Sequence, residues 1–355
     1  MKKVAIIGGG IAGVSAAAEL APNTECTLFE QEPVLGYHAS GRSAAMFEEN
    51  YGNTVVRALN TASKATHVSA EVLSPRGLMM VALKGEEAIF ENDCAQMNLH
   101  SIPLSEAHDR VPILHKDIIL AALHEGASDL DTDKLLQGYA RAARSAGAEF
   151  RLGELVSVHQ IKDGWVMKSN TSESFFDVVV NAAGPWADSV AESAGIRPVG
   201  LVPLRRSMAR IPAPGGHDVQ GWPMLFGPDE SWYAKPDAGG WVVSPAEEHP
   251  VEPMDAWADD LVLAEGIARY EAHVSEPVTR VETSWAGLRT FAPDRTPVIG
   301  EDPSHGGFFW LAGQGGYGFQ TAPAAAKLIA DLVLNRKPQI GNAIVSALSP
   351  ARLLE

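Results

Sequence analysis

The stretch Val4-Ala5-Ile6-Ile7-Gly8-Gly9-Gly10-Ile11-Ala12-Gly13-Val14-Ser15-Ala16-Ala17-Ala18-Glu19-Leu20 decides the fold. Its first four residues form a short apolar run rich in β-branched side chains, which reads as a buried parallel strand. Glycines 8, 10 and 13 then satisfy the G-x-G-x-x-G spacing that turns a strand into a helix around a dinucleotide. Gly8 permits the tight turn, Gly10 lets the backbone approach a pyrophosphate, and Gly13 lets helix and strand pack closely. Gly8, Gly10, Ile11, Ala12 and Gly13 are therefore candidate cofactor contacts, with the diphosphate at the helix N-terminus, where free N–H groups and the helix dipole favour negative charge.

Further along, Cys26-Thr27-Leu28-Phe29-Glu30 reads as the second strand. It ends in a carboxylate about 20 residues past the loop, where a ribose hydroxyl needs an acceptor. Glu30 and the adjoining Gln31 are assigned to the cofactor on that ground.

Composition sets the outer limits. The 355 residues, 46% of them hydrophobic, can bury a large core and divide into two domains. A formal net charge of −16, with no basic run, argues against nucleic acid as a partner. Cys26 and Cys94 are too few for a disulfide framework and lack the spacing of a metal site, so no metal is expected. Three consecutive glycines and Glu19 interrupt what could imitate a signal peptide after Met1-Lys2-Lys3. No stretch is apolar for long enough to span a bilayer, so the expectation is a cytoplasmic protein, at most peripheral to a membrane.

Beyond the second strand, residues 32–47 are small and aperiodic, as suits a loop lying against a ligand. Helices are expected over 53–71, 86–97, 105–110 and 133–146, and strands over 78–83, 118–123, 149–152 and 155–160. Residues 176–181 read as one apolar strand running into Ala182-Ala183-Gly184-Pro185-Trp186, a return to the nucleotide-type pattern. Residues 200–250 change to antiparallel strands with turns at Pro228-Asp229-Glu230 and Pro236-Asp237-Ala238-Gly239-Gly240. A helix over 255–273 and strands over 279–286 and 308–312 follow. Gly313-Gln314-Gly315-Gly316-Tyr317-Gly318-Phe319-Gln320 then opens a last helix over 321–335, with Pro323 in its first turn. The expectation is an α/β protein in which segments 1–46, 131–200 and 286–355 form the cofactor domain. Segments 47–130 and 201–285 form a substrate domain.

Taken together, these segments resemble the D-amino-acid oxidase and dehydrogenase (DAO) flavoprotein family, which includes glycine oxidase and sarcosine oxidase. The shared features are the N-terminal loop with Glu30, Asn181-Ala182-Ala183-Gly184, the run from Gly287-Leu288-Arg289 to Gly300, and the glycine-rich entry to the last helix. The branch that dehydrogenates D-arginine is the most similar, through Gly41-Arg42-Ser43-Ala44-Ala45, Tyr51-Gly52, Arg205-Arg206-Ser207, Trp222-Pro223-Met224-Leu225, Tyr233 and Trp285-Ala286-Gly287-Leu288-Arg289. The resemblance implies a Rossmann-like FAD-binding domain of the GR2/DAO type, interleaved with an α+β substrate domain on a mixed or antiparallel sheet. It implies FAD, held noncovalently.

It also implies roles. Arg206 and Arg289, with Tyr51 and Tyr233, match positions that hold the substrate α-carboxylate, and a planar guanidinium suits this because it pairs with a carboxylate through two parallel bonds. Gly316 and Gln320 match contacts near the flavin and the substrate amine. Gly41, Arg42, Ser43 and Ala44 match the loop over the flavin ring. Leu155, Val156, Ala182, Gly184, Trp186, Arg289 and the run Gly315, Gly316, Tyr317, Gly318, Phe319 and Gln320 complete the cofactor set. The dipole of the last helix would stabilise negative charge at the flavin N1 and O2 edge.

Departures fall in the side-chain pocket. Leu78 replaces a glutamate that pairs with the substrate guanidinium, and Met46 replaces an active-site histidine. Glu48 replaces a threonine beside the same pocket, where it could supply a carboxylate; its ordinary reading is a solvated loop acid next to Glu49. Met46, Leu78 and Met80 could line an apolar pocket, and a cationic group against Leu78 would lack a partner.

The implied activity is FAD-dependent oxidation of the Cα–N bond of an amino acid, of the D configuration in that branch, by hydride transfer to flavin N5. The imine then gives a 2-oxo acid and ammonia. Desolvation lowers the amine pKa, so no dedicated base is required. The alternatives are a glycine- or sarcosine-type oxidase using oxygen, a 2-hydroxy-acid dehydrogenase, and a non-catalytic flavin-binding subunit. The electron acceptor stays open between oxygen and a quinone or other respiratory carrier.

Overall fold

The computed structural model describes residues 1–169 and 172–354. Residues 170, 171 and 355, which the segments 131–200 and 286–355 include, lie outside the described residues.

At the centre is the strand Lys3–Ile7, buried beyond its first residue. Val178–Asn181 and Glu25–Glu30 pair with it in parallel on either side. Glu149–Leu152 extends the sheet beyond Glu25–Glu30, and Phe308–Ala312 extends it beyond Val178–Asn181, both in parallel. Val298–Glu301 closes the far edge antiparallel, giving six strands. Helices Ile11–Leu20, Thr132–Ser145 and Gly318–Val333 share a core with one face of this sheet. The other face packs on an antiparallel meander, Ser157–Ile161, Gly164–Lys168 and Glu173–Phe176, through Trp165, Met167 and Phe176. A parallel sheet covered on both faces calls for strands that are apolar throughout, as Val4 to Ile7 are.

A second, mixed sheet of nine strands builds the substrate side. Its longest pair is Val202–Ile211 against Thr283–Phe291, antiparallel over nine registered residues. The boundary expected at 285/286 thus falls within one strand. Leu78–Ala82 lies parallel to Met224–Phe226 and antiparallel to Leu120–His124. A small sheet of Met46–Phe47, Ser128–Leu130 and Leu73–Pro75 joins the two halves.

Four local expectations are corrected. Residues 176–181 are two strands, broken at Asp177, whose carboxylate accepts the Lys3 N–H at 2.7 Å. The helix expected from 255 begins at Asp260, because Asp259 caps it by accepting from the N–H groups of Leu261 and Val262. The strand expected over 279–286 is Thr283–Phe291. The last long helix begins at Gly318, so Pro323 sits in its second turn, where it cannot donate to the Phe319 carbonyl.

Candidate active site

Two connected cavities follow the carboxyl ends of the parallel strands. One, of about 500 Å³, is lined by Gly8, Gly10, Glu30, Gln31, Leu155, Val156, Ala182, Gly184 and Trp186. The other, of about 270 Å³, begins at Gly10, Ile11 and Ala12 and runs past Arg42, Ser43 and Ala44 to Gly315, Gly316, Gly318, Phe319 and Gln320. Gly10, Ala39, Ser40, Ala182, Gly184 and Pro185 border both. The two therefore form one continuous cleft, and the expected cofactor residues other than Gly13, Gly41 and Tyr317 lie along it.

The residues present fit a dinucleotide cofactor. The N-cap residues of Ile11–Leu20 and Gly318–Val333 supply no side-chain cap, Ser40 Oγ accepts the Ile11 N–H at 3.0 Å, and both N-termini open on the cleft. A Cβ on Gly8 would meet the Ala182 carbonyl oxygen at 2.4 Å, and one on Gly13 the Gly8 carbonyl oxygen at 1.9 Å. Glu30 is buried on the cleft wall and accepts the N–H groups of Gly9 and Glu32 at 2.5 and 2.8 Å. Besides facing the cleft, it pins the glycine loop to the end of its own strand.

Gly13, Gly41 and Tyr317 line neither cavity. Gly13 lies against the Gly8 backbone and Gly41 against Gly36, where a Cβ would meet a carbonyl oxygen at 2.4 Å. Tyr317 turns into an aromatic cluster with Tyr51 and Phe291. These three shape the cleft from behind.

The two arginines come from the long antiparallel pair. Register sets Arg206 opposite Gly287 and Arg289 opposite Leu204, so the two are diagonal neighbours on one face of the sheet. Both guanidinium groups reach Oε1 of Glu248, at 3.4 Å from Arg206 and 3.2 Å from Arg289. Arg295 binds both oxygens of the same carboxylate at 2.9 Å. Burial pushes the Glu248 carboxyl up, but the hydrogen bonds from Arg295 and the nearby charges of Arg289 and Arg206 outweigh it and hold the pKa below the ordinary value.

Arg289 Nη2 also donates to the Tyr51 hydroxyl at 3.1 Å, and that hydroxyl donates to Glu230 at 2.9 Å. Burial, and then the Glu230 charge, push the Tyr51 pKa up, so its phenol stays protonated. Tyr233 lies near Arg206, its ring centroid 5.9 Å from the guanidinium carbon. Gly316 makes room for the clamp, because a Cβ there would come within 2.0 Å of Arg289 Nη2. Tyr51, Arg206, Tyr233, Arg289, Gly316 and Gln320 all line the smaller cavity.

Met46, Leu78, Met97, Met224 and Phe226 form the wall where a substrate side chain would lie, with Glu48 where that wall meets Gln320. Met80 is core instead. Glu48 corrects the ordinary expectation for a loop acid: it is 4% exposed. One of its oxygens accepts the Asn50 N–H at 2.9 Å and the other lies 2.5 Å from His124 Nδ1. Its own N–H donates to Gln320 Oε1 at 3.2 Å.

Glu230, Glu248, His124 and Met97 were not assigned to the site from the sequence, and Met224 entered only within the motif Trp222-Pro223-Met224-Leu225. Glu230 carried one signal, its place in a Pro-Asp-Glu turn, and the structure gives Asp229 and Glu230 positive φ of 57° and 48°. The others depend on partners distant in the chain.

Residues 3–332 match the family model described as DAO, FAD dependent oxidoreductase. Glycine oxidase of Geobacillus kaustophilus is 24% identical over 357 residues, covering 93% of this chain and 92% of that protein. The crystal structure of glycine oxidase from that organism superposes with a TM-score of 0.84 at 22% identity, covering 99% of both chains. L-Proline dehydrogenase from P. horikoshii gives a TM-score of 0.83 at 21% identity, covering 99% of this chain and 97% of that one. Among the described residues, no helix is long and apolar enough to cross a membrane.

Proposed function

The chain belongs to the FAD-dependent oxidoreductase (DAO) family, with FAD as its cofactor, and from that premise we propose that it oxidises the Cα–N bond of an α-amino acid to an imine. Water then splits the imine into a 2-oxo acid and ammonia. The D configuration is our reading of the substrate, carried by the resemblance of the clamp segments to the D-arginine branch.

The observation that supports this most is the placement of Arg206 and Arg289 on one sheet face, opening into the cavity that Gly316 and Gln320 border. Two adjacent guanidinium groups take a carboxylate in a fixed orientation. FAD, when bound, supplies the two-electron acceptor for the hydride leaving Cα. The chain's own residues position and enclose. Arg206 and Arg289 anchor the carboxylate, the protonated Tyr51 offers a hydrogen bond rather than a base, and the methionine-lined wall gives the side chain an apolar surface.

Anaerobic addition of D- and L-amino acids, N-methyl amino acids and 2-hydroxy acids to the purified yellow protein tests the reading. Bleaching of the flavin by an amino acid is expected. Bleaching by hydroxy acids alone, or by none of the panel, would overturn it.

The names of the glycine oxidase relatives favour a second reading, in which oxygen accepts the electrons. Stopped-flow reoxidation in air separates the two. Fast peroxide formation marks an oxidase, and slow reoxidation marks a dehydrogenase that passes electrons to a quinone or other carrier.

A further inference from the structure

We propose that Glu48 and His124 together accept the proton that the substrate ammonium must lose, and carry it from the cavity to solvent. The proposal rests on the amino-acid reading above. An ammonium nitrogen has no free electron pair to support departure of hydride from Cα, so one N–H bond must break first. Desolvation of the amine eases that loss, but the proton still needs an acceptor, and a clamp of arginines and tyrosines does not take it up.

Glu48 is suited to take it. Its carboxylate is buried on the cavity wall, and its backbone is tied to Gln320 in the first turn of the helix that borders the cleft. The other ionisable groups on that wall are engaged. Glu230 accepts from Tyr51, Tyr51 stays protonated, Arg289 holds Tyr51 and Glu248, Arg206 holds Glu248, and Arg42 is paired with Asp255.

His124 gives the pair a route outward. Its side chain is 21% exposed, against 5% for Glu48. Facing the carboxylate, His124 Nδ1 donates; facing the carboxylic acid, Nδ1 accepts and the ring hydrogen sits on Nε2, which exchanges with water. Strand register places His124 opposite Leu78, so an apolar side chain flanks it on the sheet. The neighbouring strand Leu78–Ala82 brings no charge. The charged groups nearby are Glu49, paired with Lys64, and Glu125, paired with Arg110. His100 lies on the next strand, and His67 is tied to the site through the Gln320 carbonyl.

The step balances without an oxidant. The N–H bond of the ammonium breaks with its electron pair left on nitrogen, and an O–H bond forms on Glu48. The ring, in the tautomer with its hydrogen on Nε2, then takes the Glu48 proton on Nδ1 as the O–H bond breaks, and the imidazolium gives its Nε2 hydrogen to water, which restores the carboxylate.

The test uses FAD-loaded enzyme and whichever amino acid bleaches the wild type fastest. Glu48→Gln should slow flavin reduction roughly a hundredfold at neutral pH, and approach the wild-type rate once the pH exceeds the substrate's own ammonium pKa. His124→Gln keeps a hydrogen bond to Glu48 but cannot titrate. With a pH indicator in the stopped flow, proton release should keep pace with flavin reduction in the wild type and lag behind it in His124→Gln. Superimposed pH profiles for wild type and Glu48→Gln, or a loss in Glu48→Gln equal at every pH with flavin absorbance and circular dichroism intact, would overturn the proposal. Proton release in step in His124→Gln would overturn it too, and that variant carries the test alone if Glu48→Gln fails to fold. If no amino acid reduces the wild type, the amino-acid reading falls and this proposal with it; if one does and the profiles coincide, only this proposal falls.

Discussion

His67 Nε2 donates to the backbone carbonyl of Gln320 at 2.9 Å, joining the helix Thr54–Ser69 to the helix whose first turn borders the cleft. One helical turn away, Ser63 Oγ accepts the Ala324 N–H at 3.1 Å. Between these two contacts stands Pro323, which has no N–H to give. The two bonds stitch the turn that proline loosens, and so fix Gln320 against the cavity.

Because a carbonyl only accepts, His67 is the neutral tautomer with hydrogen on Nε2, and its buried Nδ1 has no hydrogen-bond partner among the described residues. Burial holds the ring pKa below its ordinary 6.5. Below that value the unfolded chain binds a proton that the folded ring resists, so stability should fall as pH drops below about 6.5 and level off past the depressed folded pKa. Urea midpoints at several pH values check this. His67→Gln, which cannot titrate, should flatten the decline.

Loss of either guanidinium should weaken substrate capture. Arg206→Ala or Arg289→Ala removes charge-assisted bonds of about 1.5–3 kcal/mol each, so kcat/KM should fall by roughly 10²-fold or more. Arg289→Lys should recover little, because an ammonium cannot reach both carboxylate oxygens in the fork geometry. Steady-state kinetics with the reducing amino acid, set against retained flavin absorbance, decide this.

Two glycine substitutions should fail differently. In Gly316→Ala the new methyl would meet Arg289 Nη2 at 2.0 Å, so the guanidinium must move, and KM should rise while FAD stays bound. In Gly13→Ala the methyl would meet backbone, the Gly8 carbonyl oxygen at 1.9 Å, which has no side-chain freedom to yield. That protein should purify colourless or fail to fold. Flavin content per chain separates the cases.

Glu248 is the shared counter-ion of Arg206, Arg289 and Arg295. Glu248→Gln should cost about 1–2 kcal/mol, less than for a fully buried pair because the carboxylate is partly exposed. Its folded pKa is depressed, so its stabilisation is present above its ordinary value near 4.5 and lost as pH falls through the depressed one. Acid denaturation of wild type should therefore be steeper than that of the variant.

Much of the fold was legible in the residues. Val4 to Gly13 named a strand, a turn and a helix because each step has a local steric cause, and the apolar runs at Val178–Val180 and Phe308–Ala312 announced strands. The element boundaries were less legible. Asp177 splits a run of apolar residues because its carboxylate binds the Lys3 N–H, and Asp259 rather than Asp255 starts a helix because Asp255 is drawn to Arg42.

The sequence by itself pointed to the dinucleotide loop and its acidic strand end, since these depend on spacing and on chemistry carried within a few residues, whereas the clamp residues entered only through the resemblance to the DAO family. Tertiary structure alone decided which charges share a partner. Glu48 meets His124 across 76 positions, and Tyr51 meets Glu230 across 179. The physical reason is that a carboxylate's burial and counter-ion are set by whichever strands the sheet order brings beside it, and no local pattern in the chain encodes that order.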